Sequence, residues 1–105
     1  MIREATTVLD DRLEKKTGIK NLNPGALIGK VLNPNPEKAV IEISGEKSQQ
    51  EGIHGICLGI MLAFRNPAHH SFSDRFTRED ALKFCGFVDT VLGLIDAGTV
   101  HPERI

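Results

Sequence analysis

Gly59-Ile60-Met61-Leu62-Ala63-Phe64-Arg65-Asn66-Pro67-Ala68-His69-His70 is an apolar segment that ends abruptly in an arginine, an amide, a proline and two histidines. Upstream the apolar run reaches back to Ile53, interrupted only by His54 and small glycines. Such a run reads as a helix enclosed by neighbours on most sides, whose polar end then surfaces in a groove. Pro67 lacks the N–H that would continue the helix and disfavours helical geometry at Asn66, so the helix is expected to end or kink at Arg65 or Asn66. Ser48-Gln49-Gln50-Glu51 has the spacing of a capping box and is expected to start it. Gly52, Gly55 and Gly59 fall on roughly one face. Each glycine costs about 1 kcal/mol relative to alanine in a helix. Something must approach closely there, either a tightly packed helix of the same chain or a second subunit.

Working outward, Ile2, Ala5 or Thr6, Leu9 and Leu13 recur at helical spacing, with Arg3, Glu4, Asp10, Asp11, Glu14 and Lys15 on the other side. This amphipathic helix should stop near Gly18, after Lys15 and Lys16. It begins at the first residue without a capping signal, as expected either of a start inside a helix or of the C-terminal part of a longer protein. Lys20 to Asn23 reads as a turn. Asn23-Pro24 reads as cap and first position of a short helix to about Leu32, ended by Asn33-Pro34-Asn35-Pro36. Ala39 to Ile43 has strand character and is expected to be an extended connection or one edge pairing. Thr77-Arg78-Glu79-Asp80 offers a further cap, and Leu82 or Ala81, Cys85, Val88, Val91 or Leu92, and Ile95 mark the inner face of a last helix ended by Gly98. The expected fold is all-α, an up-and-down bundle of about four helices in a single domain spanning 1–105, with the third helix most buried.

At 105 residues, with 40% apolar and 26% charged residues, the chain has the composition of one globular domain. No tract of about 18 apolar residues could span a membrane, and the first residues lack a signal-peptide core, so a cytoplasmic location without membrane partners is the expectation. Cys57 and Cys85 sit in apolar helical patterns and are expected to be free thiols. A net charge of -1 exerts no global pull on nucleic acid, but Arg65, His69, His70, Arg75 and Arg78 face only Asp74 between positions 65 and 78.

Arg65-Asn66-Pro67-Ala68-His69-His70 resembles the motif of HEPN domains, an arginine, a polar neighbour and a histidine after four to six intervening positions, placed at the end of a buried helix. More narrowly, Glu51-Gly52, the apolar run with Gly59, Arg65-Asn66-Pro67, His70 and the last helix ending in Leu94-Ile95-Asp96-Ala97 are similar to the Ymh-type group of uncharacterised bacterial proteins. The similarity covers about Leu13 to Ala97. The HEPN resemblance implies a metal-independent endoribonuclease of the kind used as toxins or antiphage effectors, with a site formed where two copies meet. It places the catalytic role on Arg65 and His70 with Asn66 as the polar neighbour; His69, at three intervening positions, falls outside the pattern. The implied partners are a second copy, RNA as substrate and, for a toxin, a cognate antitoxin.

The chemistry is consistent with those residue types. Cleavage of RNA by its own 2′-hydroxyl needs a base, an acid for the leaving 5′-oxygen and positive charge on the phosphorane-like transition state. Histidine titrates near neutrality and can take either proton role. Arginine is a planar, permanently charged donor to phosphate oxygens. A two-fold dimer would present two of each. Arg75, Arg78 and His69 are candidates for binding the RNA backbone, and Phe72 and Phe76 either stack a base or flank the core.

The plainer account of the same residues is a helix terminus, where Arg and His interact with the dipole by about 0.3–1 kcal/mol each and Asn-Pro provides the exit. In that account His69 is a solvated loop residue, His54 sits at a packing edge and His101 belongs to the tail. No metal site and no cofactor are expected: His54 and Cys57 lack a second pair at zinc spacing, and the glycines do not form a phosphate loop after a strand. Two other functional classes fit the chain, a non-catalytic nucleotide- or RNA-binding module and a dimerisation domain of a larger effector.

Overall fold

The computed structural model describes residues 2–65 and 75–105. Among these, four α-helices make up an all-α bundle: α1 (Ile2–Thr17), α2 (Pro24–Val31), α3 (Lys47–Ile60) and α4 (Arg78–Ala97). Strands β1 (Ile41–Glu42) and β2 (Thr99–Val100) pair antiparallel, Ile41 opposite Val100. The Ala39–Ile43 stretch is thus an edge pairing only two residues long, extended by the His101 N–H donating to Val40 C=O at 2.6 Å.

Local signals account for most helix ends. In α1 the buried stripe is Thr6, Leu9, Leu13 and Thr17, and Gly18 closes the helix with φ 76° while its N–H donates to Glu14 C=O at 2.7 Å. Asn23 caps α2, its Oδ1 accepting from Ala26 N–H at 2.8 Å with Pro24 at the first turn. Thr77 and Asp80 form a reciprocal capping box on α4, at 3.0 Å and 3.1 Å. Val88, Val91, Leu92 and Ile95 are the buried face of α4, whereas Leu82 is exposed and half-buried Ala81 takes the inward place. Gly98 ends α4 at a close approach: a Cβ there would come within 2.9 Å of Ile41 Cγ2 and 3.2 Å of the Glu42 carbonyl.

Two expectations for α3 fail. The helix starts at Lys47, not after Ser48, and its N-cap Glu46 makes no side-chain capping bond. Gln50 sets the start instead. Fully buried, its Oε1 accepts from Ile43 N–H at 2.9 Å and Ser44 N–H at 3.2 Å, and its Nε2 donates to Ile41 C=O at 3.2 Å. Nor is α3 the most enclosed helix. Gln50, Cys57 and Ile60 point inward, but Gly52, Gly55 and Gly59 are exposed with nothing among the described residues within 4 Å of a would-be Cβ. Ile56 and Leu62 on the same side are 39% and 68% exposed. The glycines carry no side chain to bury, so the apolar run overstates how much of α3 seeks cover.

The centre of the bundle is α1, which packs against α2, α4 and the end of the third helix. Leu9 and Leu13 join Leu27, Ile28, Val31 and Leu32 of α2, Cys57, Ile60 and Met61, and the inner face of α4 in one core. The up-and-down alternation holds between α2 and α3, where Gly25 meets Leu58 and the His54 ring meets Leu32 C=O at 3.1 Å. It holds again between α3 and α4, joined at one end by Phe64 on Phe84 and at the other by β1 on β2. Helices α1 and α4 lie parallel. Ala5 and Val8 line a groove with Cys85 and Val88, while Arg12 and Lys16 further along reach Asp96.

The Arg12 hydrogen bond, with Lys16 adding attraction, holds the Asp96 carboxyl below the ordinary aspartate value. A carboxyl depressed in the folded state stabilises it above the unfolded value of about 3.9 and loses that contribution as pH falls through the lower folded value. Thermal melts between pH 5 and pH 2 are therefore expected to lose part of this acid sensitivity in Asp96→Asn; an unchanged pH profile would discount the pair.

Both cysteines are free thiols, as expected, and their surroundings differ. Burial pushes the Cys57 thiol up to about 12, whereas Cys85 is half-buried and lines the α1/α4 groove. Iodoacetamide at pH 8 is expected to label Cys85 on the native protein and Cys57 only after denaturation, read by peptide mass. Labelling of Cys57 at the same rate would contradict this core.

Candidate functional site

After Ile60 the regular helix widens into a π-helical turn, Met61–Arg65. Such turns insert a residue into the helical register and re-aim the side chains that follow, and they recur at functional sites. Here the turn buries Met61 and brings Arg65 against α1. Arg65 Nη1 donates to Asp10 Oδ2 at 2.7 Å across 55 positions of sequence.

Exposure orders the pair. The Arg65 side chain is 31% exposed, while that of Asp10 is 13% exposed. Arg65 is therefore the more exposed member of the pair and Asp10 the more buried. Asp10 Oδ1 is shut off from solvent and has no hydrogen-bond partner among the described residues. The other donors of the Arg65 guanidinium have no partner among those residues either.

Asp10 was expected on the outer side of α1, and it is not there. Four positions after Thr6 and three before Leu13, it lies along the buried stripe. That spacing was the available signal.

Phe64, Phe76 and Phe84 make an aromatic cluster with ring centroids 5.6 Å apart for Phe64 and Phe76 and 4.4 Å for Phe64 and Phe84. Phe76 flanks the core, as the plainer of its two readings had it. The cluster draws the chain just before α4 toward the π turn. Arg75 and Arg78, both exposed, thus belong to the same end of the molecule as Arg65. Asn66, His69, His70 and Phe72 lie outside the described residues. Of the candidate site residues, the structure describes Arg65, Arg75 and Arg78.

The remaining histidines serve local structure. The His54 ring contacts Leu32 C=O, joining α3 to the end of α2. His101 lies between Glu42 at 2.9 Å and Glu103 at 3.2 Å, fastening the tail beside β1. A hydrogen bond from its own backbone N–H, then the neighbouring His101, holds the Glu103 carboxyl below the ordinary glutamate value.

The groove between α1 and α4, about 260 Å³, is apolar and counts Glu4 and Asp89 among its lining residues. Among the described residues no three His, Cys, Asp or Glu side chains are gathered as a metal ion would require, and no helix is long and apolar enough to cross a membrane.

No curated protein and no solved structure matches the chain. A family model does, from residue 1 to residue 95, described as "Protein of unknown function (Hypoth_ymh)". That match takes in all four helices except the last residues of α4, the π turn and the Arg65–Asp10 pair. The chain belongs to this Hypoth_Ymh family.

Proposed function

We propose that the chain is a metal-independent endoribonuclease of the HEPN type, a toxin or antiphage effector that cleaves RNA by attack of its own 2′-hydroxyl at a site completed by a second copy. The observation that carries the reading is Arg65: part-exposed at the end of the π turn, braced by Asp10, and first residue of the Arg-x4-His motif. Its guanidinium is the charge for the phosphorane-like transition state. His70 is the proton carrier, with Asn66 in support. Arg75, Arg78 and His69 bind the RNA backbone.

The open face of α3 supports the dimer. Gly52, Gly55 and Gly59 meet nothing from the described residues, with Ile56 and Leu62 exposed beside them. Of the two ways to compensate those glycines, packing within the chain is not supplied by the described residues. A second copy covering this face would bring two Arg/His pairs into one assembly.

The test is purified protein with single-stranded RNA in excess chelator, and its sizing in solution. Cleavage of RNA but not of matched DNA, by a dimer, is the expected result. Intact RNA would remove the proposal.

A second reading, a dimerisation domain of a larger effector, is favoured by the Arg65–Asp10 bond itself, since tying α1 to the π turn is a structural task. In that case Arg65→Ala lowers the melting temperature, and the wild type cleaves nothing.

A further inference from the structure

Resting on the ribonuclease reading of Arg65, we infer that Asp10 is the positioning residue of that site, holding the guanidinium so that its unused donors face an incoming RNA phosphate. Asp10 belongs to the most securely packed helix, on the stripe between Thr6 and Leu13. Arg65 belongs to the π turn, Met61–Arg65, which departs from regular helical geometry. A long side chain there would sample many rotamers. One bond to a carboxylate anchored on α1 selects among them.

The bond is monodentate, Nη1 to Oδ2. A fork-to-fork pair would occupy the guanidinium with the carboxylate; this contact, single among the described residues, leaves Nε and Nη2 for the planar, two-point recognition of a phosphate.

A carboxylate beside a phosphate-binding arginine could instead be a shield that mimics the phosphate and blocks it. The burial order favours the first. A shield would stand on the solvent side of the guanidinium, whereas Asp10 is the more buried member of the pair.

The unpartnered Oδ1 points the same way. An orphaned buried oxygen lowers stability by about 1–3 kcal/mol, and such atoms in native proteins call for an explanation other than stability. An aspartate retained for the orientation of a neighbour supplies one.

The experiment compares wild type, Asp10→Asn and Asp10→Glu in RNA cleavage under excess chelator, with kcat and KM separated and thermal melts run in parallel. Asp10→Asn is expected to lower kcat by about 10- to 100-fold with KM changed less than about 3-fold, the signature of an interaction that matters in the transition state. Asp10→Glu, which restores the charge on a longer stem, is expected to recover part of that loss. The pH profile of kcat should keep its midpoints, because Asp10 acts through Arg65 and moves no proton.

Wild-type kcat in a folded Asp10→Asn protein overturns the inference and leaves the ribonuclease standing. A raised kcat also overturns it, by making Asp10 a shield. A loss that follows only the folded fraction in the melts, without recovery in Asp10→Glu, reduces Asp10 to a structural residue. Intact RNA with the wild type is the failure of the ribonuclease reading itself.

Discussion

Arg65→Ala protein, incubated with single-stranded RNA in excess chelator, is expected to cleave at least about 100-fold more slowly than wild type, the usual loss when one donor to a developing oxyanion is removed. His70→Ala should lose about 100- to 10,000-fold, the range over which a positioned proton carrier contributes. The two variants separate charge from proton transfer. Histidine titrates near neutrality, so the wild-type rate should depend on pH around that range, and Arg65→Lys should keep the pH dependence while losing rate, because an ammonium cannot reproduce the planar fork. His69→Ala is the control: three intervening positions put it outside the motif, and its loss should weaken RNA binding more than turnover. Cleavage by wild type that persists undiminished in both Arg65→Ala and His70→Ala would withdraw the assignment. The melts matter here as well. Arg65→Ala removes the Asp10 partner and leaves a nearly buried carboxylate unpaired, so activity must be compared between folded proteins.

Gln50→Met is expected to lower stability by about 2 kcal/mol, and Gln50→Ala by about 3–4 kcal/mol, because the first removes hydrogen bonds at similar volume and the second adds a cavity. Gln50 is the buried amide that joins α3 to the strand segment, satisfying Ile43 N–H, Ser44 N–H and Ile41 C=O at once. None of those groups finds a partner in a thioether. At roughly 4–8 °C per kcal/mol for a domain of about 100 residues, the methionine variant should melt about 8–16 °C below wild type. The damage should be local first: amide exchange at Ile43 and Ser44 is expected to accelerate ahead of that in α1, since β1 is held from one side by Gln50 and from the other by β2. A methionine variant as stable as wild type would mean that water replaces the amide without cost, and the account of how α3 is started would fall with it.

The amide and the aspartate show where reading the chain stops short. Gln50 was visible only as the third residue of an apparent capping box, Ser48 to Glu51, yet the helix starts at Lys47 and the amide turns inward. The apolar pattern places Asp10 on the other side of α1, and the pairing with Arg65 across 55 positions is what draws it in. In both cases a polar side chain is buried because a specific partner satisfies it, and the partner is distant in sequence or lies in the backbone. The break in the helix near Arg65 was legible, since the switch from apolar run to basic end is a local pattern. The π turn that aims the arginine was not, because a shift of register within a helix leaves no composition of its own.

From sequence alone came the helices and most of their ends: Gly18, Asn23 with Pro24, and Thr77 with Asp80 act through backbone groups within four residues of themselves, so the information is local. The inner stripe of α4 was equally readable, because periodicity states which side chains leave water together. Tertiary structure alone decided that α1 and not α3 occupies the centre, that the glycine face of α3 meets no cover from the described residues, and that Asp10 pairs with Arg65 as its more buried partner. Periodicity names the faces that can be buried. Which of them finds a neighbour depends on the volumes of all the helices at once.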